Sequence, residues 1–142
     1  MEFYVKTVTC PRTKKSVGAY LVTIGDSRIF ATMDLKSTNP IAAELEATAN
    51  VFFRIFKPVS YFGPITLHTT CGHLIGISER KYSSRHTTAT YYNYIKKRVL
   101  KNNIRVHKIE SLRPPLNSTE QVILHLDIEA RKRLKDLIKT SR

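Results

Sequence analysis

The chain has 142 residues, in which 24 Lys and Arg face 11 Asp and Glu, giving a formal net charge of +13 at pH 7. Hydrophobic residues make up 42% of the chain, an ordinary share for a globular protein that excludes an intrinsically disordered composition. A net charge of magnitude about 2–8 already keeps a small domain soluble, so this excess indicates a polyanionic partner, typically a nucleic acid. A basic surface kept for solubility alone is the alternative.

Length, cysteine usage and apolar runs set the broad class. The length predicts a single domain over residues 1–142. Cys10 and Cys71 lack the spacing of a zinc site and fit reduced thiols, although the sequence leaves a disulfide between them open. No apolar run approaches the roughly 18–20 residues of a membrane span, and residues 1–6 lack a secretion signal. We therefore expect no membrane partner and an intracellular protein, cytoplasmic or, in a eukaryote, nuclear.

The first third of the chain has the pattern of three strands. Residues 3–9, 17–24 and 28–34 are rich in β-branched and aromatic side chains. Their short links predict an antiparallel meander. A cap-forming run before Pro40 then predicts a helix over residues 41–57, ended by Pro58. Leu45, Ala49, Phe52 and Phe56 form one apolar face of that helix.

The remaining elements alternate between strands and helices. The patterns predict a fourth strand over 65–69, a short helix over 72–77 and a long helix over 88–102, which has Tyr91, Ile95 and Val99 on one face. A fifth strand over 104–110 and a final helix from Ser118 follow. The apolar positions of the final helix are Leu126, Ala130, Leu134 and Leu137. This order predicts a mixed α/β (α+β) fold, with a five-stranded sheet flanked by helices. Strands four and five should run parallel to strand one.

Several local motifs lie in the same order as in one known family. Ser37-Thr38-Asn39 with Ala43-Glu44-Leu45-Glu46-Ala47 resembles that family's T-N-N-x-x-E-L-x-A, and residues 65–75 resemble its v-x-l-x-T-D-S-x-x-v-i. Thr7 with Cys10 matches T-D-G-S-C, and Leu126 to Ala130 matches A-D-x-x-A. Together they make the chain similar to the type 1 ribonuclease H domain over nearly its whole length. The resemblance implies the ribonuclease H-like fold.

The resemblance also implies a site in which carboxylates hold two divalent metal ions against a phosphodiester. Of the four matched catalytic positions, Glu44 and Asp127 keep a carboxylate, while Thr7 and Thr70 are neutral hydroxyls. We therefore expect no metal ligands and no cofactor; Mg or Mn would be needed only by an active nuclease. Glu44 also fits a helix-start charge, and Asp127 also fits a helical pair with Arg131.

Cations cluster in regions that could contact phosphates. Residues 79–108 contain nine cations and one acid, with tyrosines among them that we expect to pack beneath a helix. Further cations follow strand one and lie on the last helix, at 131–135. The candidate nucleic-acid-binding residues are Arg12, Lys14, Lys15, Thr38, Asn39, Arg80, Lys81, Arg85, Lys96, Lys97 and Lys101. The five histidines lack metal-ligand spacing, and we expect them to be hydrogen-bonded or on the surface.

Three functions remain open from the sequence. The first is a non-catalytic binder of duplex nucleic acid, either RNA/DNA hybrid or double-stranded RNA. The second is a metal-dependent nuclease built around Glu44 and Asp127. The third is a structural or assembly module of a viral or reverse-transcribing element, which the resemblance makes plausible.

Overall fold

A computed structural model describes residues 1–56, 63–77, 88–110 and 112–140. Three strands, β1 (Glu2–Thr9), β2 (Ser16–Ile24) and β3 (Ser27–Leu35), precede helix α1 (Pro40–Phe56). Strand β4 (Ile65–Thr69) and a one-turn 3₁₀ helix (Gly72–Leu74) follow. Helix α2 (Thr88–Asn102), strand β5 (Ile104–Lys108) and helix α3 (Ser118–Thr140) complete the chain.

The five strands form one mixed sheet in the order β3-β2-β1-β4-β5. Strands β1, β2 and β3 are antiparallel, whereas β4 runs parallel to β1 and β5 runs parallel to β4. This arrangement confirms the sequence-based fold class, including the meander and the direction of strands four and five. Parallel neighbours bring the carboxyl ends of β1, β4 and β5 to the same edge of the sheet.

The element boundaries differ from the sequence-based ones by more than one residue at two places. The short helix expected over 72–77 is a single 3₁₀ turn that ends at Leu74. Strand β5 ends at Lys108 rather than residue 110, although the Ile109 N–H still donates to the Thr69 carbonyl at 2.8 Å. The predicted end of α1 at 57 and Pro58 lie outside the described residues.

Two apolar layers cover the two faces of the sheet. Alternate residues of β1 point to opposite faces: Phe3 and Val5 pack toward α1 and α2, whereas Tyr4 and Val8 pack toward α3. The expected helix faces are confirmed, because each contributes side chains to its layer. None of the described helices is both long and apolar enough to cross a membrane.

The start of α1 is held tightly against the sheet. Asn39 caps the helix, since its Oδ1 accepts a hydrogen bond of 2.9 Å from the Ala42 N–H. The buried Glu46 carboxylate accepts bonds from the Lys36 and Ser37 backbone N–H groups and from the Ser37 hydroxyl, which fixes the preceding loop. A side chain at Gly18 would come within 3.2 Å of the Ala47 Cβ, so glycine permits the close approach of α1 to β2. The first turns of α1 are thereby fixed near the carboxyl ends of the strands.

Candidate functional site

The candidate site lies where the carboxyl ends of β1 and β4 meet the first turns of α1. Thr7 is buried near the end of β1, on the same face as Phe3 and Val5, and it pairs across the ladder with Gly18. Thr70 comes directly after β4, whose last residue, Thr69, is also buried. Glu44 occupies the second turn of α1.

A direct hydrogen bond joins two of the four positions that the sequence singled out. The Thr70 hydroxyl donates to Glu44 Oε1 at 2.8 Å. The backbone carbonyl of Glu44 accepts from the Thr48 hydroxyl at 2.8 Å, one turn further along α1. The Thr69 hydroxyl accepts from the Cys71 N–H at 3.0 Å, which fixes the turn after β4. Glu44 is thus in direct contact with Thr70 and lies beyond the first turn of α1.

The Cys71 thiol faces the same carboxylate. Burial raises its pKa to about 12, and the negative charge of Glu44 and a hydrogen bond to it act in the same direction. A thiol with so high a pKa stays protonated near neutral pH, and the thiolate is the nucleophilic form. Cys71 is therefore part of the packing around Glu44 and unsuited to attack a substrate.

Asp127 has a different setting from Glu44 and Thr70. It lies on α3, which packs on the opposite face of the sheet. Its carboxylate accepts a hydrogen bond of 2.9 Å from Arg131 Nε, and its side chain is only 14% exposed. The i, i+4 pair considered from the sequence is therefore present.

The residues of this site do not fit a centre of two divalent ions. Hard divalent cations are held by several carboxylate oxygens, and two of them require more than one bridging carboxylate. Over residues 1–56, 63–77, 88–110 and 112–140, no three His, Cys, Asp or Glu side chains are placed to hold a metal. One oxygen of Glu44 is already bonded to Thr70, and Thr7 adds no charge.

A lysine stands beside the site instead. Lys108, the last residue of β5, pairs with Thr69 of β4 and lies on the same face of the sheet. Its Nζ is 3.7 Å from the position that a Cβ would occupy on Gly72, two residues after Thr70. Nζ also lies 3.8 Å from the exposed Glu110 carboxylate. This edge of the sheet therefore carries an ammonium group beside Gly72, in the turn that follows Thr70.

The basic loop after β1 projects from the same edge. The Cys10 N–H donates to the Lys15 carbonyl at 2.8 Å, and the Lys14 N–H donates to the Cys10 carbonyl at 2.9 Å, so the loop is a closed turn. Arg12 and Lys14 are exposed, and Lys15 is half-buried. A hydrogen bond from the Thr13 hydroxyl is the main cause of a lowered Cys10 pKa, with further bonds from backbone N–H groups and the Arg12 charge.

The remaining predicted binding residues have three different settings: some lie on the surface of α2, some lie at the start of α1, and some lie outside the described residues. Lys97 and Lys101 are exposed on α2, and Lys96 is half-buried there. Asn39 serves as the helix cap, and Thr38 is exposed before it. Arg80, Lys81 and Arg85 lie outside the described residues. Tyr92 is buried, so the expectation that the tyrosines pack beneath a helix is confirmed for it, whereas Tyr91 and Tyr94 are half-buried at the edge of the core. Tyr82 lies outside the described residues.

A histidine pair on the α3 face of the sheet was missed from the sequence. His68 Nδ1 and His107 Nδ1 are 3.0 Å apart across β4 and β5, and Glu2 Oε1 lies 3.0 Å from His68 Nε2. The Tyr4 ring stacks on His68 with centroids 4.6 Å apart. A hydrogen bond with His68 is the largest cause of a lowered Glu2 pKa. The signal was present in the similar strand sequences ITLH and IRVH, which place both histidines at the same register.

Comparison with known proteins identifies the fold. No family model matches the sequence, and no curated protein matches it. Ribonuclease H1 from the halophilic archaeon Halobacterium salinarum NRC-1 is similar with a TM-score of 0.67 and 10% identity, over 95% of this chain and 97% of that one. LC11-RNase H1 in complex with an RNA/DNA hybrid gives a TM-score of 0.56 and 11% identity, over 76% of this chain and 83% of that one.

Prototype foamy virus protease-reverse transcriptase also resembles the chain. Its TM-score is 0.67 at 14% identity, and the match covers 92% of this chain and 20% of the viral one. This chain therefore spans about a fifth of the viral polypeptide's length. At these identities the likenesses show the fold alone: the chain has a ribonuclease H-like fold, as the order of its motifs predicted.

Proposed function

We propose that this protein binds duplex nucleic acid on a ribonuclease H-like fold without cleaving it. The observation that carries the proposal is the Thr70–Glu44 hydrogen bond. It lies at the position where the resemblance to type 1 ribonuclease H implies a set of carboxylates. A neutral hydroxyl bonded to the retained carboxylate removes the charge that would attract a second divalent cation. The site lies at the position that the resemblance implies, but it lacks the set of carboxylates that would hold two metal ions for hydrolysis.

Cations at the same edge of the sheet support phosphate binding. Arg12 and Lys14 project from the loop after β1, and Lys108 lies against Gly72. An ammonium group attracts phosphate oxygens as a point charge, without the coordination geometry that a metal ion demands. The overall charge of +13 adds a long-range attraction for any polyanion. Backbone contacts of this kind favour duplex shape over base sequence.

The proposal is tested by a binding titration at two salt concentrations. RNA/DNA hybrid, double-stranded RNA, double-stranded DNA and single strands are each titrated with the protein, with and without Mg²⁺ or Mn²⁺. The same samples are run on a gel to detect cleavage. We expect duplex binding that weakens steeply with salt, and no cleavage in either metal. Binding that is weak and insensitive to salt on every duplex would contradict the proposal.

Point variants locate the contact surface. Arg12→Ala should weaken binding to all duplexes alike and reduce the salt slope by about 1, because each lost phosphate contact releases about one fewer counterion. Lys108→Ala should have a similar effect if the ammonium group contacts phosphate. Lys139→Ala is the matched control, since this exposed lysine lies in the last turn of α3 and should leave the slope unchanged.

The same experiment would also distinguish the two alternative functions from duplex binding. Cleavage of the hybrid that Glu44→Ala abolishes would show that the retained carboxylate suffices for hydrolysis. The assembly alternative would appear as a defined oligomer that forms equally well with and without nucleic acid. Either result would replace the binding proposal.

A further inference from the structure

Helices α1 and α2 form an aromatic groove on the outside of the molecule. Phe53 of α1 and Tyr94 of α2 face each other with ring centroids 6.4 Å apart and planes tilted by 59°. The cavity between the helices has a volume of about 200 Å³. Its lining residues are Ala49, Asn50, Phe53, Thr90, Tyr91 and Tyr94. Three aromatic rings, the Asn50 amide and the Thr90 hydroxyl therefore meet in one shallow cleft.

Phe53 is unusually exposed for its size. Among the described phenylalanines only Phe30 and Phe53 are exposed, and 54% of Phe53 is accessible to solvent. Phe52, its neighbour in the chain, is fully buried, so α1 has ample apolar surface for its own packing without Phe53. The Tyr94 ring is held in place because Arg98 Nε donates to its hydroxyl at 3.3 Å and the guanidinium lies 5.7 Å from the ring centroid. The groove is thus an ordered aromatic surface that is partly exposed to solvent.

The charge around the groove is positive. Helix α2 contains four cations and no acidic residue. Lys97 and Lys101 are exposed, and Arg54 is exposed beside Phe53. The two acids of α1 lie in its first half and are hydrogen-bonded outside the groove, Glu44 to Thr70 and Glu46 to the Lys36–Ser37 loop. Burial and the negative charge of Glu46 raise the pKa of Tyr91, so one acid does act on one side of the groove, where the cations outnumber it. An occupant of the groove would therefore meet aromatic rings flanked by cations, which is the combination that holds unpaired nucleotides.

We infer that the groove between α1 and α2 stacks a nucleobase of an unpaired nucleic-acid strand. Phe53 and Tyr94 would contact the base faces, the Asn50 amide and Thr90 hydroxyl would meet a base edge, and Arg54 and Lys97 would neutralise the adjoining phosphates. The cavity is small for a drug-sized ligand, whose sites usually occupy about 300–1,000 Å³, and suits a single planar ring system. The inference rests on the proposed nucleic-acid binding and adds a second site for a single-stranded segment.

The experiment compares a blunt duplex with the same duplex carrying a four-nucleotide single-stranded extension that contains 2-aminopurine. Stacking of this fluorescent base on an aromatic ring quenches its emission. We expect the extended duplex to bind more tightly than the blunt one, with quenching on binding. Phe53→Ala should remove the quenching and weaken binding of the extended duplex by about 5- to 150-fold, the range expected for loss of one base stack. It should leave the blunt duplex unaffected.

Two further variants make the result specific. Phe53→Tyr keeps an aromatic ring and should retain both the quenching and the affinity. Phe30→Ala is the matched control, since Phe30 is 46% exposed on β3 and lies in contact with His125 of α3, away from the groove. Because Phe53 is exposed, its replacement should preserve the fold, which the thermal unfolding of each variant checks.

The outcomes separate this inference from the proposed function. If the blunt duplex binds and neither the extension nor Phe53 matters, the groove is not a base site and the inference is overturned, while duplex binding stands. If only the single strand binds, and through Phe53, the groove is supported and the duplex proposal fails. If Phe53→Ala disrupts self-association and leaves strand binding intact, the groove is a protein contact and the inference is overturned.

Discussion

Replacing Thr70 by Asp should make the stability of this protein depend on divalent cations. The Thr70 hydroxyl donates to Glu44 Oε1 at 2.8 Å, so an Asp side chain at this position would set two carboxylates almost in contact. Two like charges about 4 Å apart repel by roughly 4 kcal/mol at the effective dielectric constant of about 20 that suits such sites. Uptake of a proton by the pair relieves part of this repulsion. We therefore expect the free energy of unfolding to fall by about 2–4 kcal/mol in EDTA.

Magnesium should restore most of the lost stability. A cation that binds only the folded state adds about 2.7 kcal/mol when its concentration is 100 times its Kd. The assay is thermal unfolding of Thr70→Asp and of the unaltered protein in EDTA and across a magnesium titration. For a chain of this length the loss in EDTA corresponds to a fall in Tm of about 10 °C. The unaltered protein should show no comparable response, because it lacks the second carboxylate.

The neutral variant Thr70→Asn is the matched control. Asn can still donate to Glu44, so it should cost at most the roughly 1 kcal/mol of a rearranged hydrogen bond and gain nothing from magnesium. The reasoning would be refuted if Thr70→Asp were as stable in EDTA as Thr70→Asn. It would also be refuted if magnesium shifted the Tm of both variants and of the unaltered protein equally, since that would be a general salt effect.

Two further predictions concern the thiols and the second apolar layer. Iodoacetamide should modify Cys10 in the folded protein and Cys71 only after denaturation, as mass spectrometry can show. Because the Cys10 pKa is lowered, its labelling rate should reach its plateau at a lower pH than that of a free thiol, whereas equal labelling of both cysteines would contradict the assigned environments. Leu126→Ala should lower the free energy of unfolding by about 2–5 kcal/mol, because this fully buried side chain joins α3 to the sheet. Leu116→Ala, at a half-buried position before α3, should cost clearly less in the same denaturant titration.

The fold was predictable because each element obeys one strong local rule. Strand β1 alternates between two apolar layers, and the cap at Asn39 marks the start of α1 within one residue. The parallel strands followed from the connections between them. The errors lie where local rules weaken: the turn after β4 is stabilised by the Thr69–Cys71 hydrogen bond and makes only one 3₁₀ turn, which periodicity does not register.

The candidate site was predictable in its location and only partly in its contacts. Motif order placed Glu44 and Thr70 in one site, and the structure joins them directly. Lys108 was counted among the cations of residues 79–108, but its proximity to Gly72 was not predicted, because it depends on the register of β5 against β4, which pairs residues 39 positions apart. The His68–His107 pair was missed for the same reason. Sequence patterns report one element at a time, whereas these contacts arise between elements.

The changes at this site act together on its charge. A cluster of carboxylates at the end of β1 and β4 would repel a phosphate backbone unless cations neutralised it first, so binding and hydrolysis would both depend on metal. With Thr7 and Thr70 as neutral groups, Glu44 is the carboxylate bonded to Thr70, and the Lys108 ammonium group lies near Gly72 in the turn that follows Thr70. The Glu110 carboxylate lies 3.8 Å from that ammonium group, and Arg12 and Lys14 add positive charge at the same edge. We therefore expect this edge to attract phosphate without a metal ion.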